Sequence, residues 1–281
     1  MSQLRRRFPP APPGEVWIGD DAAVLRPPDG LLLLAADALV EGVHWDPSVT
    51  GVDDAGWKAL AVNVSDLAAM GGRPLHAVVT VAVPPGRAGD LDRLYDGLEA
   101  AAKALDCPVV GGDLTGGPAF VVTVAVTGTV DGVPVLRSGA RPGDLLLVTG
   151  PLGAASAALR ERRAVPRVTP RVAEGTAARL GGATAMLDLS DGLLMDLRRL
   201  AAASGVGVVV DDGGVPVADG ASLEDALGGG DDYELVFAAP SPPSFPAALT
   251  PPVVIGRCTP DPAERRLGAG PLPEGGWEHD W

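Results

Sequence analysis

Short apolar runs bounded by glycine and proline alternate along this chain with longer stretches of helical periodicity, a rhythm of strands and helices in turn. Ala22–Leu25 and Leu31–Ala36 flank Pro27-Pro28-Asp29-Gly30 and predict a β-hairpin whose second strand ends at Asp37. From Asp53 onward, Trp57, Leu60, Ala61, Val64, Leu67 and Ala68 recur at helical spacing, and Gly71-Gly72 supplies a stop. Asn63 and Asp66 share a face of that helix. Ala77–Val83 predicts a strand, Leu91–Leu105 a helix, and Pro108–Val110 a short strand entering Gly111-Gly112-Asp113. Phe120–Val130 predicts a long strand with β-branched residues, ended by a turn at Asp131-Gly132.

The second half continues in the same way. Strands are expected at Leu145–Thr149, Met186–Leu189, Gly207–Val210, Tyr233–Ala238 and Val253–Ile255. Helices are expected at Leu152–Arg163, Arg171–Leu180 and Gly192–Ala203, with a proline-rich loop over Pro240–Pro252. The chain reads as α/β, divided near Gly132–Val135 into domains 1–133 and 134–281.

Composition narrows the chemistry. The 281 residues are 46% hydrophobic, ample for a buried core. The formal charge is −14, with 36 acidic residues against 22 basic ones, a balance that opposes nonspecific nucleic-acid binding and suits a protein that recruits cations. Arg5-Arg6-Arg7 leads into Phe8-Pro9-Pro10 rather than an apolar run, so it does not read as a signal peptide. No segment approaches the roughly 20 apolar residues of a membrane span. Cys107 and Cys258 sit in apolar surroundings and read as inert core thiols of a cytoplasmic protein.

Five acidic motifs stand out: GDDAAVL at Gly19–Leu25, AADAL at Ala35–Leu39, NVSDLAAMGG at Asn63–Gly72, GGDLTGG at Gly111–Gly117, and LDLSDG at Leu187–Gly192. Aspartates beside glycines and strand ends supply the oxygen ligands Mg²⁺ takes when it bridges protein to phosphate. If Gly19-Asp20-Asp21 is extended, its two carboxylates diverge, and Asp21 is the favoured ligand with Asp20 behind it. Asp37, at a strand end, is costly to bury unless paired or metal-bound. The glycines before Asp113 let backbone approach a phosphate. Ser190 or Asp191 reads equally well as a helix N-cap. There is no GxxxxGK[ST] and no protein-kinase motif set, so phosphoryl chemistry here requires another scaffold.

The series GDDAAVL, DALVEGVHW, KALAVNVSDLAAMGGRP, GGDLTGG, RSGARPGD, LDLSDGL, GGGDDYEL and GGWEHDW, in that order, resembles the thiamine-monophosphate kinases of the aminoimidazole ribonucleotide synthetase superfamily. The resemblance implies a two-domain PurM-like fold that dimerises through its N-terminal sheet, with ATP-dependent, Mg²⁺-assisted phosphorylation of thiamine monophosphate to thiamine diphosphate. It implies metal ligation by Asp21, Asp37, Asp66, Asp113, Asp188 and Asp191, with Asp66 and Asp113 central to catalysis. Gly112, Asp113, Arg137, Ser190 and Tyr95 would contact ATP, and His44, Asp231 and Trp277 the thiamine substrate. Two departures stand against the family pattern: Ala35-Ala36 replaces the usual hydroxyls before Asp37, and Asp231 replaces a Glu. The alternatives are another ATP-using enzyme of the superfamily, or a noncatalytic binder of nucleotide or thiamine phosphate.

Overall fold

The structure, a computed structural model, describes residues 7–18, 20–211 and 213–278. Gly19 of the first acidic motif, Arg5-Arg6, and the terminal His279-Asp280-Trp281 lie outside the described residues. The chain forms two compact units, Met1–Leu67 with Arg73–Gly132, and Ala68–Gly72 with Val133–Trp281.

In the first unit, β1 (Leu31–Val40), β2 (Arg73–Val83), β3 (Val109–Gly116) and β4 (Val121–Val130) form a four-stranded sheet in the order β1-β4-β2-β3. β3 is parallel to β2, and β4 is antiparallel to both of its neighbours. α1 (Val52–Ala69) is buried nearly all round, with Leu60, Asn63, Val64 and Leu67 in the interior, which fits apolar positions spread over all its faces rather than along one stripe. α2 (Leu91–Ala104) is amphipathic and buries Leu94, Tyr95, Leu98, Ala101 and Ala102. Gly97 lets the two helices touch by their backbones, since a Cβ there would stand 1.8 Å from the Asp53 carbonyl oxygen.

Three expectations are corrected here. The hairpin does not form: Val24 bridges back to Val16, and β1 pairs with β4. Pro27 and Pro28 lack the N–H groups that a ladder into β1 needs. β1 continues past Asp37 to Val40, so Asp37 is an exposed residue within an edge strand and not a buried strand end. β3 runs on through Gly111-Gly112-Asp113 to Gly116, held by parallel pairing to β2, so Asp113 stands on a strand rather than in a loop.

In the second unit, β5 (Leu145–Val148), α3 (Ala154–Arg160), α4 (Val172–Leu180), β6 (Ala185–Asp188), α5 (Leu193–Ser204), β7 (Gly207–Val210), α6 (Leu223–Gly228), β8 (Leu235–Ala239), β9 (Val253–Thr259), β10 (Arg265–Leu267) and β11 (Gly270–Pro271) follow in order. Their seven strands pair as β11-β10-β7-β9-β5-β8-β6. Alternate residues of the central strands feed two cores. Leu146, Val148, Leu187 and Val236 join one cluster with α5, while Leu147, Met186, Leu235 and Phe237 join another with Ala178 of α4. Burial on both faces explains why these strands read as unbroken apolar runs. The expected strand at Tyr233 begins instead at Leu235, because Asp231 and Tyr233 take left-handed backbone conformations. α6, β10 and β11 are too short to carry a period in the sequence. Cys107 and Cys258 are both buried, and burial pushes each thiol up to about 12.

Candidate functional site

A cavity of about 460 Å³ in the first unit is lined by Asp20, Asp21, Tyr95 and Gly111-Gly112-Asp113, beside apolar Phe8 and Val79. Two of the five acidic motifs, the first and the fourth, therefore meet there, with Tyr95 of α2 beside them. The chain bends at Asp21-Ala22 and is not extended, so both Asp20 and Asp21 reach the cavity. The Asp21 N–H donates to Asp20 Oδ1 at 2.9 Å. Gly112 is obligatory for packing, since a Cβ would lie 1.9 Å from the Val79 carbonyl oxygen. Tyr95 is buried, and burial raises its phenol, leaving a neutral hydroxyl at the cavity wall.

The wall before Asp20 has an anchor that periodicity did not reveal. Trp17 Nε1 donates to Glu15 Oε2 at 2.8 Å, and His76 Nε2 lies 3.7 Å from the same oxygen. The Trp17 and His76 rings meet edge to face at 5.9 Å. Burial lowers the His76 pKa. No motif marks Glu15, Trp17 or His76; only their place beside the first acidic motif and on β2 connects them.

Asp37 and Asp66 belong to a different part of this unit. Asn63, fully buried, accepts the Asp37 N–H at 2.8 Å on Oδ1 and donates to the Ala59 carbonyl at 2.9 Å. Half-buried Asp66 follows Asn63 by three residues on α1. The register Asp37–Val124–Val79–Gly112 crosses the whole sheet. At about 4.8 Å per strand, β1 and β3 are about 14 Å apart, so Asp37 and Asp113 do not share an ion within one chain. His44, just beyond β1, accepts the Val40 N–H on Nδ1 at 3.0 Å, and its carbonyl takes Lys58 Nζ at 2.7 Å. A neutral ring held in that way carries its proton on Nε2, as a donor.

In the second unit, backbone hydrogen bonds gather four of the expected residues. Asp231 N–H donates to the Ser190 carbonyl and Trp277 N–H to the Asp191 carbonyl, both at 2.9 Å. Asp188 is buried at the end of β6, directly before them. Neither Ser190 nor Asp191 caps α5; Gly192 is the N-cap, without a side-chain cap bond. Arg199 Nη1 reaches both Asp191 and, at 2.9 Å, Asp196. Burial raises the Asp196 and Asp232 carboxyls to about 7. Asp232 Oδ1 accepts the Gly153 N–H at 2.8 Å, while its buried Oδ2 lacks a hydrogen-bond partner. Arg137 is exposed in the segment before β5, where its carbonyl accepts from Ser204 Oγ.

Among the described residues, no three His, Cys, Asp or Glu side chains form a ready cage for an ion. Sparse aspartates beside an open cavity fit Mg²⁺, which keeps waters and takes one or two carboxylates together with phosphate oxygens. No helix among the described residues is long and apolar enough to cross a membrane.

The family model for the N-terminal domain of AIR synthase related protein matches residues 19–130, and that for the C-terminal domain matches residues 141–267. A thiamine-monophosphate kinase of Methanospirillum hungatei is 36% identical over 277 residues, covering 95% of each chain. One from Salmonella typhimurium is 40% identical over 252 residues, covering 80% of this chain and 77% of the relative. Among solved structures, AaThiL complexed with AMPPCP and TMP superposes with a TM-score of 0.81 at 31% identity, covering 94% of this chain and 92% of that one. The expected two-domain PurM-like α/β fold is the fold of these relatives.

Proposed function

Because the chain belongs to the thiamine-monophosphate kinase family of AIR synthase related proteins, we propose that it transfers the γ-phosphoryl group of ATP to thiamine monophosphate, giving thiamine diphosphate and ADP. The observation that carries this reading is the convergence of Asp20, Asp21, Tyr95 and Gly112-Asp113 on one cavity, in a family with a member solved with an ATP analogue and TMP.

The acceptor is a phosphate monoester, largely dianionic at neutral pH because its second pKa is about 6, so no general base is required. The obstacle is repulsion: two unit charges about 4 Å apart cost about 4 kcal/mol at an effective dielectric near 20. Bound Mg²⁺ supplies the compensating positive charge. Asp21, Asp37, Asp66, Asp113, Asp188 and Asp191 are assigned as ligands of several such ions, with Asp66 and Asp113 the carboxylates on which turnover depends most. The Gly112 backbone, Tyr95, Arg137 and Ser190 hold the nucleotide, Arg137 as a planar fork on phosphate. His44 donates from Nε2 to the substrate, Asp231 takes a donor, and the exposed Trp277 ring offers a face to the thiazolium, a contact worth about 0.5–2 kcal/mol.

The protein works as a cytoplasmic homodimer in this reading. The support is the open face of the first sheet, where Leu32 and Leu34 of β1 and Val78 of β2 are 59%, 72% and 41% exposed. Apolar surface gathered in this way marks an interface. Acceptor specificity tests the proposal: turnover with thiamine monophosphate, and none with thiamine or AMP, is expected. Equal turnover of the three would point to a different enzyme of the superfamily.

A further inference from the structure

The Arg199 side chain makes a contact that its structural duty does not require. Asp196, on the first turn of α5, is 1% exposed and needs partners: Oδ2 accepts the Asp191 N–H at 3.1 Å and Oδ1 accepts Arg199 Nη1 at 2.9 Å. Those bonds alone satisfy a buried carboxylate. Yet the same Nη1 also binds Asp191 Oδ2, on a carboxylate 21% exposed in the loop beside Ser190, Asp231 and Trp277. The two N–H groups of Nη1 are thus divided between a buried aspartate and one at the candidate site. Arg199 is itself 38% exposed, so its fork has room to release one partner and keep the other.

We propose that Arg199 is a built-in counter-cation that holds Asp191 in the nucleotide-free enzyme and yields it when a divalent cation arrives with its phosphates, while keeping hold of Asp196. The inference rests on the reading of Asp191 as an ion ligand. Arg199 is a positioning residue: it fixes the Asp191 carboxylate, and it makes bare cation binding there weak. A cation and a guanidinium competing for one carboxylate repel each other, whereas incoming phosphate offsets the surplus positive charge. The Asp191 site therefore favours the cation–nucleotide complex over the free ion.

The test uses Mn²⁺ as the probe, followed by electron paramagnetic resonance with the full-length protein and no nucleotide. Arg199→Gln is expected to bind Mn²⁺ about tenfold more tightly than the wild type, the response to removing a nearby positive charge. The gain should vanish in the double variant Asp191→Asn/Arg199→Gln. Because an unpaired, buried Asp196 destabilises the single variant, Asp196→Asn/Arg199→Met removes the buried pair together and should show tightening in the same direction, smaller because a negative charge is lost with the positive one. Unchanged or weaker Mn²⁺ binding in both Arg199 variants, with Asp191→Asn alone still lowering affinity, overturns the counter-cation role and leaves Asp191 as a ligand. If Asp191→Asn leaves Mn²⁺ binding untouched, the ligand assignment fails and the inference falls with it.

Discussion

Gly112 and Val79 lie in register on adjacent parallel strands, so close that a methyl group on Gly112 would meet the Val79 carbonyl oxygen at 1.9 Å. The same glycine lines the cavity beside Asp113. Gly112→Ala should therefore push β3 from β2, costing about 1–3 kcal/mol of stability as an overpacked site does, and raise the KM for ATP. Thermal unfolding and steady-state kinetics read both effects. A variant normal in both respects would show that neither the close approach nor the nucleotide contact matters.

Asp66→Asn tests the carboxylate rather than the backbone. Asp66 is half-buried near the end of α1, so the uncharged isostere should keep the fold. Its kcat should fall by at least about a hundredfold, an effect of the size that loss of a group stabilising transition-state charge produces. Exposed Arg137 gives the contrasting case: Arg137→Ala should raise the KM for ATP about tenfold with little change in melting temperature. An unaltered ATP dependence would remove Arg137 from the nucleotide site.

Asp232 makes a prediction about pH. Its folded-state pKa is raised to about 7 from 3.8, chiefly by burial, so between those values the folded chain holds a proton that the unfolded chain has shed. Stability from this group is therefore greatest below about pH 4 and is lost as pH rises towards 7, by up to about 4 kcal/mol at 1.36 kcal/mol per unit. Asp232→Asn keeps an acceptor for the Gly153 N–H and removes the charge. Its stability advantage over the wild type, from urea unfolding, should widen from pH 5 to 7.5 and then level off. A constant difference across that range would contradict the raised pKa.

The order of elements, both long helices of the first unit and most central strands could be read from apolar spacing, because burial on one helix stripe or a whole strand leaves a period. The hairpin failed for a local reason: Val24 found its partner in Val16, a contact between segments that carry no strand-like alternation. Gly111-Gly112 has the sequence of a turn and so ends the expected strand at Val110, whereas pairing with β2 carries β3 on through Asp113 to Gly116. Candidate aspartates were visible through their glycine neighbours. Arg199, Asp196 and the Glu15–Trp17–His76 anchor were not, since their importance comes from contacts across the fold and not from a motif.

The open sheet face yields a solution measurement. Leu34 is 72% exposed on β1, and light scattering should find the wild type dimeric and Leu34→Glu monomeric at the same concentration. A monomeric wild type would remove the dimer proposal.

The most direct test of the account is phosphorus NMR of the protein incubated with ATP, Mg²⁺ and thiamine monophosphate. The phosphomonoester resonance of thiamine monophosphate should disappear as the paired resonances of thiamine diphosphate and ADP grow in equal amounts. Tight binding of both substrates with the spectrum unchanged, or ATP consumed without thiamine diphosphate, would contradict it.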